Sequence, residues 1–208
     1  MSKKIGFVGL GTMGFPMAVN LKKAGFEVIG FDGFKGVYEK ARATGITMVN
    51  TLKEVAEHAD EAMISMVRDY AQNVDVIFGE NGLLSEHAKG KTIIVMSTLD
   101  PDSMNELGKK VEKESDLRLI SAAVSGGASG AQAGTLSIMT SGPEDIVKSF
   151  QPYFDAILIY DRILTLKQLR VFTHLYLDAG TGEIDWSKLL NSPTAVRRAD
   201  TQNPHTCD

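Results

Sequence analysis

Apolar residues in this chain come in short compact runs that alternate with stretches of helical spacing. Ile5 to Val8 is an apolar run that stops at a glycine, the pattern of a buried parallel strand. From Phe15 to Ala24 the period changes. Met17, Leu21 and Ala24 share one helical stripe, Pro16 sits in the first turn where its missing N–H costs little, and Gly25 suits a left-handed stop. The same reading predicts strands at Glu27 to Asp32, Glu61 to Val67 and Thr92 to Ser97. It predicts helices at Lys35 to Thr44, Thr51 to His58, Tyr70 to Phe78 and Asp102 to Glu114. Repeated strand–helix–strand units imply right-handed crossovers and a mainly parallel sheet with helices on both faces, a doubly wound α/β fold. After Leu117 the pattern loosens. Small residues dominate SAAVSGGASGAQAG, and a strand at Leu136 to Thr140, a helix at Glu144 to Phe154, a strand at Ala156 to Tyr160 and a helix at Leu166 to Leu177 are expected beyond them. Asn191 to Asp208 is polar and aperiodic, the pattern of a frayed terminus.

Composition narrows the classes. At 208 residues, with 43% apolar and 23% charged, the chain is long enough to bury a core without staples. A mean hydropathy of −0.05 and no apolar run near the roughly twenty residues of a bilayer span argue against a membrane protein. A formal charge of −4 gives no basic surface for nucleic acid. The single cysteine, Cys207, excludes an internal disulfide framework and a cysteine zinc site. His58, His87, His174 and His205 have no metal spacing, so no metal is expected. MSKKIGFVG runs straight into a strand without the apolar core or cleavage site of a signal peptide, so a cytoplasmic protein is expected.

Chemistry enters at Gly9-Leu10-Gly11-Thr12-Met13-Gly14, a GxGxxG motif placed between a predicted strand and a predicted helix. In that context Gly9 permits the tight turn, Gly11 the close approach of a pyrophosphate, and Gly14 the close packing of helix on strand, as in a Rossmann-type fold. The helix N-terminus adds unpaired N–H groups for the phosphates. Asp32 ends the second strand about twenty residues on, where a carboxylate accepts hydrogen bonds from the adenine ribose. A 2′-phosphate there would meet a like charge, so NAD is favoured over NADP, with Lys35 as the opposing influence. A glycine turn that binds no nucleotide is the alternative, but strand, helix and acid together argue against it.

Two further segments lie where such sheets hold ligands. After the Thr92 to Ser97 strand, Ser97 and Thr98 offer hydroxyls, and Asp102 or Ser103 can cap the following helix. In Ser125-Gly126-Gly127, adjacent glycines can bring backbone N–H groups close to an anion, and Ser125 adds a hydroxyl. A strand end with a helix cap, and a flexible small-residue turn, account for these two segments equally well on residue chemistry alone.

The segments GFVGLGTMGFPMAVNLKKAGFEVIGFD, MVRD, GENGLL, STLDP and AAVSGGASGAQAGTLSIMTSG, in this order from about Lys4 to Gly142, make the chain resemble the β-hydroxyacid dehydrogenase family. That family includes 3-hydroxyisobutyrate dehydrogenase and tartronate semialdehyde reductase and is related to 6-phosphogluconate dehydrogenase. The resemblance implies that Gly9 to Gly14 and Asp32 bind the dinucleotide, and that Val67, Arg68 and Thr98 line the nicotinamide side. It implies that Ser125, Gly126 and Gly127 bind the carboxylate of a small hydroxy acid. One departure adjoins this unit: the family has Asp-Ala-Pro before Val-Ser-Gly-Gly, and this chain has Ser121, Ala122 and Ala123.

The resemblance stops after Phe154. The family continues into GxGxxxK and Asn-Asn at the start of a long helix and an all-helical second domain, the lysine being the general acid/base. Here GTGEIDWSKLLN offers only an echo, in which Lys188 and Asn191 stand one helical turn apart and the lysine comes two residues late. The expected division is therefore a Rossmann dinucleotide-binding domain over residues 1–160 and a divergent tail over 161–208. A calcium-binding loop in the tail is rejected, because it would need Leu177, Ala179 and Lys188 as ligands. Two functions follow: a nicotinamide-dependent oxidoreductase for a small 3-hydroxy acid, or a truncated or fused NAD-binding module without turnover. The face left by the absent helical domain predicts association, as a homo-oligomer, through the apolar Ile157 to Leu177 region.

Overall fold

A computed structural model describes residues 2–158 and the backbone of Ile163–Thr165. The chain begins with strand β1 (Lys4–Val8), helix α1 (Gly14–Lys23) and strand β2 (Glu27–Phe31). Helix α2 (Tyr38–Ala43), the two-residue strand β3 (Thr47–Met48), helix α3 (Leu52–His58) and strand β4 (Ala62–Ser65) follow. Then come helix α4 (Tyr70–Phe78), strand β5 (Thr92–Val95), helix α5 (Pro101–Glu114) and strand β6 (Arg118–Ser125). Helix α6 (Gly127–Ala133), strand β7 (Ser137–Ser141), helices α7 (Glu144–Ser149) and α8 (Gln151–Ile157) and strand β8 (Ile163–Thr165) complete the described elements.

The sheet order is β3-β2-β1-β4-β5-β6-β7-β8. Pairing is parallel from β3 through β6 and turns antiparallel between β6 and β7. Strand order reverses at β1, whose chain continues to β2 on one side while β4 pairs on the other. That reversal opens a crevice at the carboxyl ends of the strands, where α/β sheets hold ligands. Side-chain alternation sends each strand's residues to two separate cores. Ile5, Phe7, Ile64 and Ile94 pack with Met17 and Leu21 of α1 on one face. Val8, Met63, Ile93 and Val95 pack with Val55, Ile77 and Leu107 on the other. The expected doubly wound sheet, with helices on both faces, is what forms. Among the described residues no helix is long and apolar enough to cross a membrane.

Several elements differ from the reading of the pattern. The expected Lys35–Thr44 helix begins instead as a 3-10 turn over Lys35–Val37, with Gly36, a weak helix former, inside it. The expected Glu144–Phe154 helix is two helices that meet at Phe150, because Pro152 in the first turn of α8 cannot donate to a preceding turn. Ala156 and Ile157 belong to α8, not to a strand at Ala156 to Tyr160. Tyr153, Phe154 and Ile157 bury a helical face, a spacing that a short apolar run conceals. Ile157 and Leu158 are buried in the core, so the start of the region expected to mediate association faces inward. The cap of α5 is Asp100, whose side chain accepts from the Ser103 N–H at 3.0 Å, rather than Asp102 or Ser103. Pro101 fills the first helical position.

Candidate functional site

Three loops leave the carboxyl ends of β1, β4 and β5 and come together. In the first, Gly9 to Gly14, side-chain volume is excluded at two glycines. A Cβ on Gly9 would collide with the Met66 carbonyl, and one on Gly14 with the Gly9 carbonyl. At Gly11 the same addition meets nothing within 4 Å. Gly11 and Thr12 are exposed, Met13 is half-buried, and Leu10 and Gly14 are buried. The loop is thus closed on its inner side and open at Gly11, and it runs directly into the ten-residue helix α1. An open approach to backbone amides and a helix N-terminus fits a pyrophosphate. A groove of about 630 Å³ adjoins the loop, lined by Leu10, Gly11 and Thr12 and by Phe15, Val19 and Lys40, but Asp32, Thr98 and Ser125 do not line it. The groove thus touches the glycine loop and leaves the other candidate residues on the open strand edge.

Asp32 fastens the exits of two strands. One carboxylate oxygen accepts the Leu10 N–H at 2.6 Å and the other accepts the Phe34 N–H at 2.7 Å. The side chain is half-buried, and each oxygen keeps lone-pair capacity for a diol. Lys35 does not reach back toward it. Its ammonium donates to the Tyr38 hydroxyl at 2.8 Å and lies 4.3 Å from the centre of that ring.

The second loop carries Val67 and Arg68, half-buried and exposed respectively. Its backbone is held at several points. Met66 N–H donates to the Val8 carbonyl at 2.9 Å, Arg68 N–H to the Gln72 side chain at 3.1 Å, and Gln72 N–H to the Asp69 carboxylate at 2.8 Å. In the third loop Thr98 is exposed, and its hydroxyl lies 3.4 Å from the Val124 carbonyl. Ser97, expected to offer its hydroxyl at this edge, is buried and donates to the Val67 carbonyl at 2.7 Å.

Ser125 ends β6, and Gly126 and Gly127 lead into α6; all three are exposed. Gly126 has φ of 133° and Gly127 φ of 64°, conformations that a side chain would strain, so the turn requires glycine at both positions. Ala123 in place of the family's proline pairs opposite Met139, within an antiparallel ladder that continues to Ser125 opposite Ser137. Lys188 and Asn191 lie outside the described residues, as do the expected helix at Leu166 to Leu177 and the divergent tail apart from the backbone of Ile163–Thr165.

One polar residue of the region escaped the reading of the sequence. Asn73, fully buried on the inner stripe of α4 with Val76 and Ile77, bonds to residues of two of these loops. The only signal for it was a polar residue at an inward helical position.

A glycine loop opening at Gly11 on the strand-order reversal, with a carboxylate at the neighbouring strand exit, defines a Rossmann domain built for a dinucleotide. Residues 4–159 match the family described as the NAD binding domain of 6-phosphogluconate dehydrogenase, so the chain belongs to that family and its cofactor class is a nicotinamide dinucleotide. The match extends past Phe154, where the motif resemblance had stopped. The chain is 41% identical over 141 residues to mitochondrial 3-hydroxyisobutyrate dehydrogenase of Mus musculus, covering 68% of this chain and 42% of the relative. It is 39% identical over 154 residues to 2-hydroxy-3-oxopropionate reductase of Escherichia coli K12, covering 74% of this chain and 52% of that protein. By sequence the chain is thus similar to β-hydroxyacid dehydrogenases, the family its motifs resemble. The chain spans about half the length of the curated relatives it matches. The fold superposes on a solved 3-hydroxyisobutyrate dehydrogenase of Mycobacterium tuberculosis with a TM-score of 0.69 at 24% identity, covering 100% of this chain and 72% of that one.

Proposed function

We propose that residues 1–160 form the cofactor half of a nicotinamide-dependent oxidoreductase acting on a small 3-hydroxy acid, with NAD preferred over NADP. The observation that carries this reading is the loop open at Gly11 beside a carboxylate, Asp32, that retains acceptor capacity. Gly9 to Gly14 would hold the pyrophosphate, Asp32 the ribose hydroxyls, and Val67, Arg68 and Thr98 the nicotinamide side. The preference for NAD rests on the Asp32 charge, which a 2′-phosphate on the same ribose would oppose.

Nicotinamide, when bound, supplies the site for hydride gain or loss. The chain's own share is orientation and proton movement. Ser125 with the Gly126 and Gly127 amides would hold the substrate carboxylate, and this fixes the carbinol carbon relative to the Val67 and Thr98 edge. As the hydroxyl carbon gives up its hydride, the hydroxyl proton must leave, and Lys188, as the neutral amine, is the residue proposed to take it, with Asn191 proposed to bind the substrate. Replacing Lys188 with alanine should abolish oxidation of small 3-hydroxy acids by NAD while leaving NADH binding intact; unchanged turnover removes Lys188 from the mechanism.

The alternative, a cofactor-binding module without turnover, makes a different prediction. Saturable NADH binding with no turnover of any small hydroxy acid selects it.

A further inference from the structure

We propose that Asn73 is a positioning residue that locks the Met66–Asp69 loop to the Ser97–Thr98 loop and so sets the nicotinamide half of the site; this rests on the cofactor reading above. The Asn73 side chain is fully buried and every polar atom on it is used. Its carbonyl oxygen accepts from the Ser65 hydroxyl at 2.8 Å, at the end of β4. Its amide nitrogen donates to the Asp69 carbonyl at 2.8 Å and to the Ser97 hydroxyl at 3.1 Å. Ser97 has one proton and sends it on to the Val67 carbonyl at 2.7 Å. The direction of each bond is therefore fixed, and the chain Ser65–Asn73–Ser97–Val67 joins the ends of two adjacent strands to the loop between β4 and α4.

Alternative explanations for a buried asparagine are weaker here. Capping of α4 is already performed by Asp69, whose carboxylate accepts the Gln72 N–H. Core packing asks for an apolar residue, since Val76 and Ile77 share the buried side of this helix. Burying an amide gains little net stability over an apolar residue of similar shape. What the amide adds is geometry. It holds the Asp69 carbonyl directly and the Val67 carbonyl through Ser97; Arg68 lies between them and Thr98 directly follows Ser97. The phosphate loop is joined to the same assembly on its other side, through the close approach of Gly9 to Met66. Asp32 and the adenosine end have no bond to Asn73, so its effect is local to one half of the cofactor.

The test compares two ligands in the full chain: NADH, and ADP-ribose, which carries adenosine and pyrophosphate without nicotinamide. Asn73→Leu keeps an apolar volume on the buried stripe and removes the network; Ser97→Ala removes the link to Val67 together with the Asn73–Ser97 bond, leaves the Asn73 bonds to Ser65 and Asp69, and serves where the first variant fails to fold. In a variant folded by circular dichroism, NADH affinity should fall roughly five- to tenfold, the scale of a positioning effect. ADP-ribose affinity should be unchanged, and amide exchange should rise at residues 66–69 but not at residues 9–14. Equal losses for the two ligands, or no loss for either, would overturn the proposal. Wild-type protein that binds ADP-ribose but not NADH overturns it as well. Wild-type protein that binds neither sinks the cofactor reading itself, and the proposal with it.

Discussion

Asp32 has a structural role that is separable from the one proposed for it toward a ribose. Its carboxylate ties Leu10 and Phe34 backbone amides at 2.6 Å and 2.7 Å, so the loop that would cradle phosphate is held in shape by the residue that would hold the sugar. Asp32→Ala should cost about 1.5–3 kcal/mol in urea unfolding, the usual range for hydrogen bonds to a charged acceptor. It should also shift the NADH-to-NADPH affinity ratio toward NADPH; an unchanged ratio would mean that the charge plays no part in cofactor choice. The glycines separate fold from binding in the same way. Gly14→Ala puts a Cβ into the Gly9 carbonyl and should lower both stability and NADH affinity, whereas Gly11→Ala fills open space. The Gly11 variant should lose NADH affinity with its melting temperature unchanged. At this scale the sequence was readable where spacing encodes chemistry, as in Gly9, Gly11, Gly14 and Asp32. It was silent where side chains distant along the chain meet: nothing in the spacing of Ser65, Asn73 and Ser97 announces a shared network. Ser97 was misplaced for the same reason, because its direction depends on Val67.

Helix α8 is fastened to the sheet by a polar contact at the amino end of β4. Tyr153 donates its hydroxyl to Glu61 at 2.6 Å, and Lys3 bonds the same oxygen at 2.6 Å. Burial pushes the Glu61 carboxyl up, but the Lys3 and Tyr153 hydrogen bonds and the Lys3 charge outweigh it and hold the group below the usual carboxylate range. Burial, then the Glu61 carboxylate, pushes the Tyr153 phenol well above its ordinary value. For Glu61 the folded value lies below the unfolded one, so its stabilisation is present above the ordinary carboxylate pKa and is lost as pH falls through the folded value. For Tyr153 the folded value lies above, so its contribution is complete below about pH 10 and is lost on the alkaline side. Glu61→Gln should therefore flatten the acid limb of the stability curve in pH-dependent thermal melts, with a loss of about 1 kcal/mol or less at neutral pH because Glu61 is 41% exposed. An acid limb as steep as the wild type's would rule the pair out.

Elements with strong periodicity, β1, α1, α4 and β5, were legible to within a residue or two. Strand β6 was hidden because its inward residues, Ile120, Ala122 and Val124, are interleaved with half-exposed small and apolar ones, so the chain reads as merely small-residue-rich. Strand β3, two residues long, carries too little pattern to announce itself. Helix α8 was divided wrongly because AILIY gives no helical period by itself, and the deciding partners, Tyr153 and Phe154, come earlier in the chain.

Across the whole molecule, the sheet reversal at β1 and the turn to antiparallel pairing at β7 bracket the region where the three loops and the Ser125–Gly127 turn emerge. The fold was readable because local strand–helix alternation constrains topology strongly. The central claim is dinucleotide binding at the Gly11 and Asp32 edge, and calorimetric titration of the full chain with NADH and, separately, NADPH tests it most directly. The account predicts saturable binding of both classes at one site, with NADH the tighter ligand. A chain folded by circular dichroism that binds neither would contradict it.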